Sequence, residues 1–207
     1  LAVANYHSAN GRYPPPYVAG PDGRPWHSWR VLILQYIEHS DLYSAYRFDE
    51  PWDGPNNRRL AGQMPRLYAF HGSDHPENTT ANYLAVVGDK TAWPGSKLVT
   101  EADVTDGLGE TILLVENRGA GVHWMEPRDL SLADMDLRVN SPAGVSSPYD
   151  DPAVVMLDGS LHRLRPSLSP PTLRALLTIR GQEALESDES GGWELLTDGR
   201  VRTRREP

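Results

Sequence analysis

Proline and glycine interrupt this chain so often that a long helix has no room in it. Each occurs 18 times in 207 residues, together about 17% where a sum near ~12% is usual. Every proline removes a backbone donor and drives its predecessor into extended geometry. The sharpest instance is Tyr13-Pro14-Pro15-Pro16-Tyr17, where the chain must turn a corner. Ahead of it, Leu1 to Asn10 reads as the last turns of a helix, apolar through Leu1-Ala2-Val3-Ala4 and stopped by Asn10-Gly11. The start of that helix is expected upstream of Leu1. Short elements joined by loops follow from this pattern, and a bundle of long helices does not.

With 39% hydrophobic residues the chain can bury a core. Its formal charge of −8 opposes a phosphate backbone, so nucleic acid is not an expected partner. The absence of cysteine removes disulfides, thiol nucleophiles and thiolate metal sites together. No apolar run approaches the roughly 18 residues of a membrane span, and no basic segment leads into an apolar one as in a signal peptide. This stretch is expected to be soluble.

Turn residues Gly20-Pro21-Asp22-Gly23 precede Ser28, which is placed to N-cap a helix running from Trp29 to Glu38 with apolar residues on nearly every side. Ser40-Asp41 caps a shorter helix presenting Leu42, Tyr43 and Tyr46, and Asn56 or Asn57 opens another to about Gln63. Beyond Arg66 the pattern turns to strands: Leu67 to His71, Asn82 to Val87, and Thr111 to Val115. Val154 to Leu157 and Ser160 to Leu164 flank Asp158-Gly159, the signature of a hairpin with a two-residue type I′ turn. Ser169-Pro170-Pro171 opens a helix with Leu173, Leu176 and Leu177 on one face and Gly181 at its end. The domain division is 1–181 for the globular head and 182–207 for a C-terminal extension. The extension is acidic over Glu183, Glu186, Asp188 and Glu189 and basic over Arg200, Arg202, Arg204 and Arg205, with a small hairpin or a solvated tail as its readings.

Candidate chemistry is sparse. His71, Asp74 and His75 form a potential zinc or nickel cluster, though a loop containing Gly72 and Pro76 gives the histidine spacing no helical meaning. Ser73 beside Asp74 and His75 is the nearest approach to a hydrolase set, without a glycine-framed nucleophile elbow. Glu101 to Glu110 looks like a calcium loop, but Ala102 and Val104 occupy ligand positions, so a turn into the Thr111 strand is expected. Of six tryptophans, Trp52, Trp93 and Trp124 are the candidates for an exposed polysaccharide-binding or envelope-ligand surface, although such residues more often serve as core packing and loop anchors. No cofactor is expected.

The order of several segments resembles a known bacterial family: Asn5-Tyr6-His7, Tyr13-Pro14-Pro15, His27 through Glu38, and Phe48-Asp49-Glu50-Pro51-Trp52-Asp53. It continues through Thr80 to Gly88, Asp103 to Gly107, Glu110 to Glu116, Trp124 to Leu130, and Asp158-Gly159-Ser160. The chain is similar over residues 1–181 to type IV pilin-like proteins that carry a prepilin-type cleavage and methylation motif and a domain of unknown function. Two features depart from the pattern. The C-terminal signature is a histidine followed by nine residues and Asp-Gly, but Pro148 stands at the histidine position. His71-Gly72-Ser73-Asp74 replaces the usual Cys-Pro-Ser-Asp. The resemblance implies an α+β pilin-like head: a truncated N-terminal helix packed on a small antiparallel sheet, with long loops and short helices. It further implies a non-enzymatic envelope protein of the type IV pilus or type II secretion class, anchored in the inner membrane by a preceding helix. Prepilin peptidase would act on its precursor, and other pilin-like subunits or envelope proteins would be its partners.

Overall fold

A computed structural model describes residues 1–70, 77–95, 97–183, 185–187 and 193–195. The fold is mixed α+β. Among the described residues there are four short α-helices, α1 (Ala2–Asn10), α2 (Trp29–Leu32), α3 (Ser40–Ala45) and α4 (Pro170–Leu177), with several single 3-10 turns. Helix α1 ends where the sequence places its stop: Gly11 adopts φ 67° and returns its N–H to the His7 carbonyl, a left-handed cap that suits glycine. Val3 and Tyr6 point inward, and Tyr6 meets Tyr36 edge-on at 6.0 Å.

Beyond the proline corner, β1 (Tyr17–Ala19) and β2 (Pro25–Ser28) pair antiparallel around the Gly20–Gly23 turn. Ser28 caps α2 by accepting the Arg30 N–H, but the helix does not reach Glu38. It gives way at Ile33 (φ −94°, ψ 1°) to a 3-10 turn over Leu34–Tyr36, and Glu38 stands at φ 64°. A segment apolar all round must bury several faces, and the β-branched Val31, Ile33 and Ile37 give the helix little of its own preference. The cap of α3 also differs: Ser40 is its first residue, and His39 holds the cap position without a side-chain bond. The helix expected from Asn56 or Asn57 to Gln63 is a single 3-10 turn, Asn57–Leu60.

The remaining strands are β3 (Thr80–Ala81), β4 (Tyr83–Leu84), β5 (Val86–Val87), β6 (Ile112–Glu116), β7 (Val122–His123), β8 (Leu130–Ser131), β9 (Ala153–Met156), β10 (Leu161–Arg163), β11 (Leu185–Ser187) and β12 (Trp193–Leu195). Four of them form the main antiparallel sheet in the order β10-β9-β6-β4. Two-stranded ladders β3-β7, β5-β8 and β11-β12 flank it, of which β5-β8 is parallel. The strand expected at Leu67 to His71 is instead a 3-10 turn at Arg66–Tyr68, and Ala69 and Phe70 are buried outside any strand. Asn82 accounts for that segment's backbone: its N–H bonds the Tyr68 carbonyl and its Oδ1 accepts the Phe70 N–H.

The β9-β10 hairpin forms as expected, with a different turn. Gly159 has φ 87°, Asp158 does not share a positive φ, and Met156 exchanges bonds with Gly159 and Ser160. This is a three-residue loop with glycine in the left-handed position, not a type I′ turn. Helix α4 opens at Ser169, whose hydroxyl accepts the Thr172 N–H, and ends at Thr178, before Gly181. Its buried Leu173, Leu176 and Leu177 join the core with Leu84, Val115, Val154 and Met156 of the sheet. Trp193 of β12 is buried and meets His162 at 4.8 Å, so the end of the described chain packs on the β10 side of the head.

Candidate functional site

The motif segments around Arg30 and Asp129, 99 residues apart in sequence, meet in the interior. Their side chains are 0% and 2% exposed, and Arg30 Nη2 lies 2.5 Å from Asp129 Oδ1. Arg30 also donates from Nη1 to Ser28 Oγ at 2.9 Å and from Nη2 to the Tyr83 carbonyl at 3.4 Å. Asp129 accepts the Ala85 N–H at 2.8 Å and the Trp29 indole N–H at 3.2 Å. The Tyr68 hydroxyl closes the cluster by donating to the Arg30 carbonyl at 2.6 Å. Burial pushes the Asp129 carboxyl up, and the Arg30 guanidinium with these donors pulls against it. Arg30 further lies over the Trp29 ring, 4.7 Å from its centroid.

This constellation joins α2, β4, Ala85 between β4 and β5, and the residue just ahead of β8. The two charges meet each other, backbone groups, the Ser28 hydroxyl and the Trp29 indole, while Arg30 Nε has no hydrogen-bond partner among the described residues; with no solvent-facing edge, the chemistry of the cluster is that of a tie between distant segments. Sequence reading singled out both segments without pairing them. The signal available was a lone arginine inside an apolar run, which burial obliges to find a carboxylate.

Of the tryptophans expected at an exposed surface, Trp93 and Trp124 are 1% and 0% exposed, which corrects that expectation. Each anchors a loop through its indole N–H: Trp93 to the Leu113 carbonyl at 2.7 Å and Trp124 to the Ala61 carbonyl at 2.8 Å. Trp52 is half-buried and lies over His123, ring centroids 5.1 Å apart. The three therefore present no common face to a ligand. His71, Ser73, Asp74 and His75 lie outside the described residues. Among the described residues no group of three or more histidine, aspartate or glutamate side chains gathers as a metal site.

One polar array was missed. On the β9-β10 turn, Asp158 Oδ1 accepts both the N–H and the hydroxyl of Ser160, at 2.8 and 2.6 Å, and His162 Nε2 lies 3.1 Å from Ser160 Oγ. Alternation along a strand places residues two apart on one face, so Asp-Gly-Ser-x-His was a legible signal. The carboxylate here holds the serine and not the imidazole, the reverse of the order that orients a general base in a Ser-His-Asp triad. The calcium-like segment is likewise a turn. A capping box links Thr100 and Asp103, and Asp106 accepts the N–H groups of Gly181 and Gln182 at 2.7 and 2.9 Å.

A family described as a protein of unknown function (DUF1559) matches residues 1–100. That span carries α1, the proline corner, the Arg30 segment and β3 to β5. No curated protein and no solved structure matches the chain. Among the described residues, no helix is long and apolar enough to cross a membrane.

Proposed function

We propose that this chain is the head of a pilin-like envelope protein that acts by assembly and surface contact with other pilin-like subunits or envelope proteins. The observation that carries the reading is the seating of α1. One stripe, Val3 and Tyr6, packs on the head while Ala4, Asn5, Ser8 and Ala9 stay exposed. A helix held this way is rigidly tied to the head yet keeps a face of small residues open for a neighbouring helix. The buried Arg30–Asp129 tie supports the same reading by giving the most polar part of the interior a structural task.

On this proposal a membrane-anchoring helix precedes α1, is trimmed by prepilin peptidase, and holds the head outside the cytoplasm. The test is expression of the complete gene with and without a prepilin peptidase, followed by N-terminal sequencing and membrane fractionation. A trimmed product in the membrane fraction is expected. An untrimmed cytosolic product overturns the proposal.

A further inference from the structure

Residues 46–61 are cross-linked mainly to themselves. Asn57, fully buried, receives the Arg47 N–H on Oδ1 and donates from Nδ2 to the carbonyls of Arg47 and Pro51, at 2.8, 2.8 and 3.0 Å. Glu50 takes the N–H groups of Asn56 and Asn57 at 2.8 and 2.7 Å, and Arg58 N–H closes on the Gly54 carbonyl. A compact loop stapled by its own side chains can move as a unit.

Its seat on the head is built around two imidazoles. His27 is 2% exposed, with Nδ1 2.9 Å from the Tyr46 hydroxyl, the Phe48 ring 5.1 Å away, and a hydrogen bond to the Phe48 backbone. The His123 ring lies tilted against Trp52, and its Nδ1 accepts the Met125 N–H at 3.2 Å. The bonds from Trp52 N–H to the Trp26 carbonyl and from the Trp124 indole to the Ala61 carbonyl complete the seat.

We propose that residues 46–61 form a clasp released from the head when His27 and His123 take up protons. A charged His27 would sit in an aromatic pocket facing Tyr46 and Phe48, with the loop acids Glu50 and Asp53 acting on the Tyr46 phenol. A charged His123 would turn Nδ1 into a donor aimed at the Met125 N–H, two donors face to face. Glu126, the acid acting on it, is engaged by Arg128 at 2.6 Å. Burial already lowers both histidines' proton affinity, with Glu126 a lesser opposing influence on His123 and the Phe48 bond on His27. The sign follows. The docked state binds fewer protons than the open one, so docking holds above the ordinary histidine range and weakens as pH falls through it. Opening uncovers His27, the Tyr46 ring and the Trp124 indole N–H.

Hydrogen exchange of the whole chain, corrected for intrinsic rates, tests this between pH 7.5 and 5. The opening equilibrium of residues 46–61 is expected to rise by up to about tenfold per pH unit for each histidine, while β6 and β9 keep their protection. His123→Gln removes one histidine's share of that slope, and His27→Gln with His123→Gln removes both. Unchanged protection at pH 5, an equal acid response in the double variant, or simultaneous loss throughout the sheet overturns the proposal. Should the double variant not fold, proton NMR of the wild type decides: the two imidazoles are expected to titrate below the ordinary histidine value together with the Trp52 indole signal. Titration at the ordinary value with a static Trp52 signal overturns it.

Discussion

Replacing Asp129 by alanine strands a guanidinium in the core. Arg30 is 0% exposed, and its Nε has no hydrogen-bond partner among the described residues. Loss of Asp129 leaves Nη2 with the Tyr83 carbonyl alone, at 3.4 Å, and Nη1 with Ser28. The Ala85 N–H and the Trp29 indole N–H lose their acceptor in the same step. Breaking a buried pair from one side costs about 3–5 kcal/mol, a large share of the ~5–15 kcal/mol that holds a domain folded. With a urea slope of about 2 kcal/mol per molar, the unfolding midpoint should fall by roughly 2 M, followed through tryptophan fluorescence. Removing both charges with Arg30→Met and Asp129→Leu should recover much of the loss, because the unpaired ion is then gone. Recovery will stay incomplete, since Ala85 and Trp29 still lack an acceptor, at about 1–3 kcal/mol for each buried group. An Asp129→Ala protein within about 1 kcal/mol of wild type would refute the reasoning, as would a double variant less stable than the single one.

Gly11→Ala should cost about 1 kcal/mol by thermal unfolding, from backbone strain alone, since nothing lies within 4 Å of the added carbon and φ is 67°. Ser169→Ala should cost about 1 kcal/mol by removing the acceptor for the Thr172 N–H at the start of α4. Leu173→Ala, at a fully buried site on the same helix, should cost about 2–5 kcal/mol. Asp103 should titrate below the ordinary carboxylate range by NMR, because the Thr100 N–H and hydroxyl bond its charged form and Arg180 lies beside it. Its contribution to stability is then present above the unfolded aspartate value and lost as pH falls through the lower folded one; titration at the ordinary value would contradict this.

Much of the local chemistry was legible in the sequence, the cap of α3 excepted. The Gly11 stop, the Ser28 and Ser169 caps and the β9-β10 hairpin each depend on a few adjacent residues. What the sequence concealed was set across long separations. The Trp29 segment breaks after one turn, and its Arg30 finds a carboxylate 99 residues later. Leu67 to Phe70 has the composition of a strand, yet Asn82 takes up the Tyr68 carbonyl and the Phe70 N–H, and no ladder forms. Trp93 and Trp124 read more readily as core packing and loop anchors than as surface, and the loops that bond their indoles are what hold them there. The two-residue ladders, such as β3 with β7, carry too short an alternation to register as strands. Even the well-marked hairpin kept its turn type hidden, because Asp-Gly serves a three-residue loop as readily as a type I′ turn.

The claim that α1 keeps a face open for assembly is tested most directly by cross-linking in cells expressing the complete gene. Residues 1–207 hold no cysteine, so Ser8→Cys adds a thiol on the exposed face of α1, Asp22→Cys places one at the β1-β2 turn as a collision control, and the parent protein without either substitution sets the background. With a bismaleimide reagent, the Ser8 variant is predicted to give dimers and higher species well above the control. A Ser8 variant that stays monomeric, or that cross-links no more than the Asp22 variant, contradicts the account.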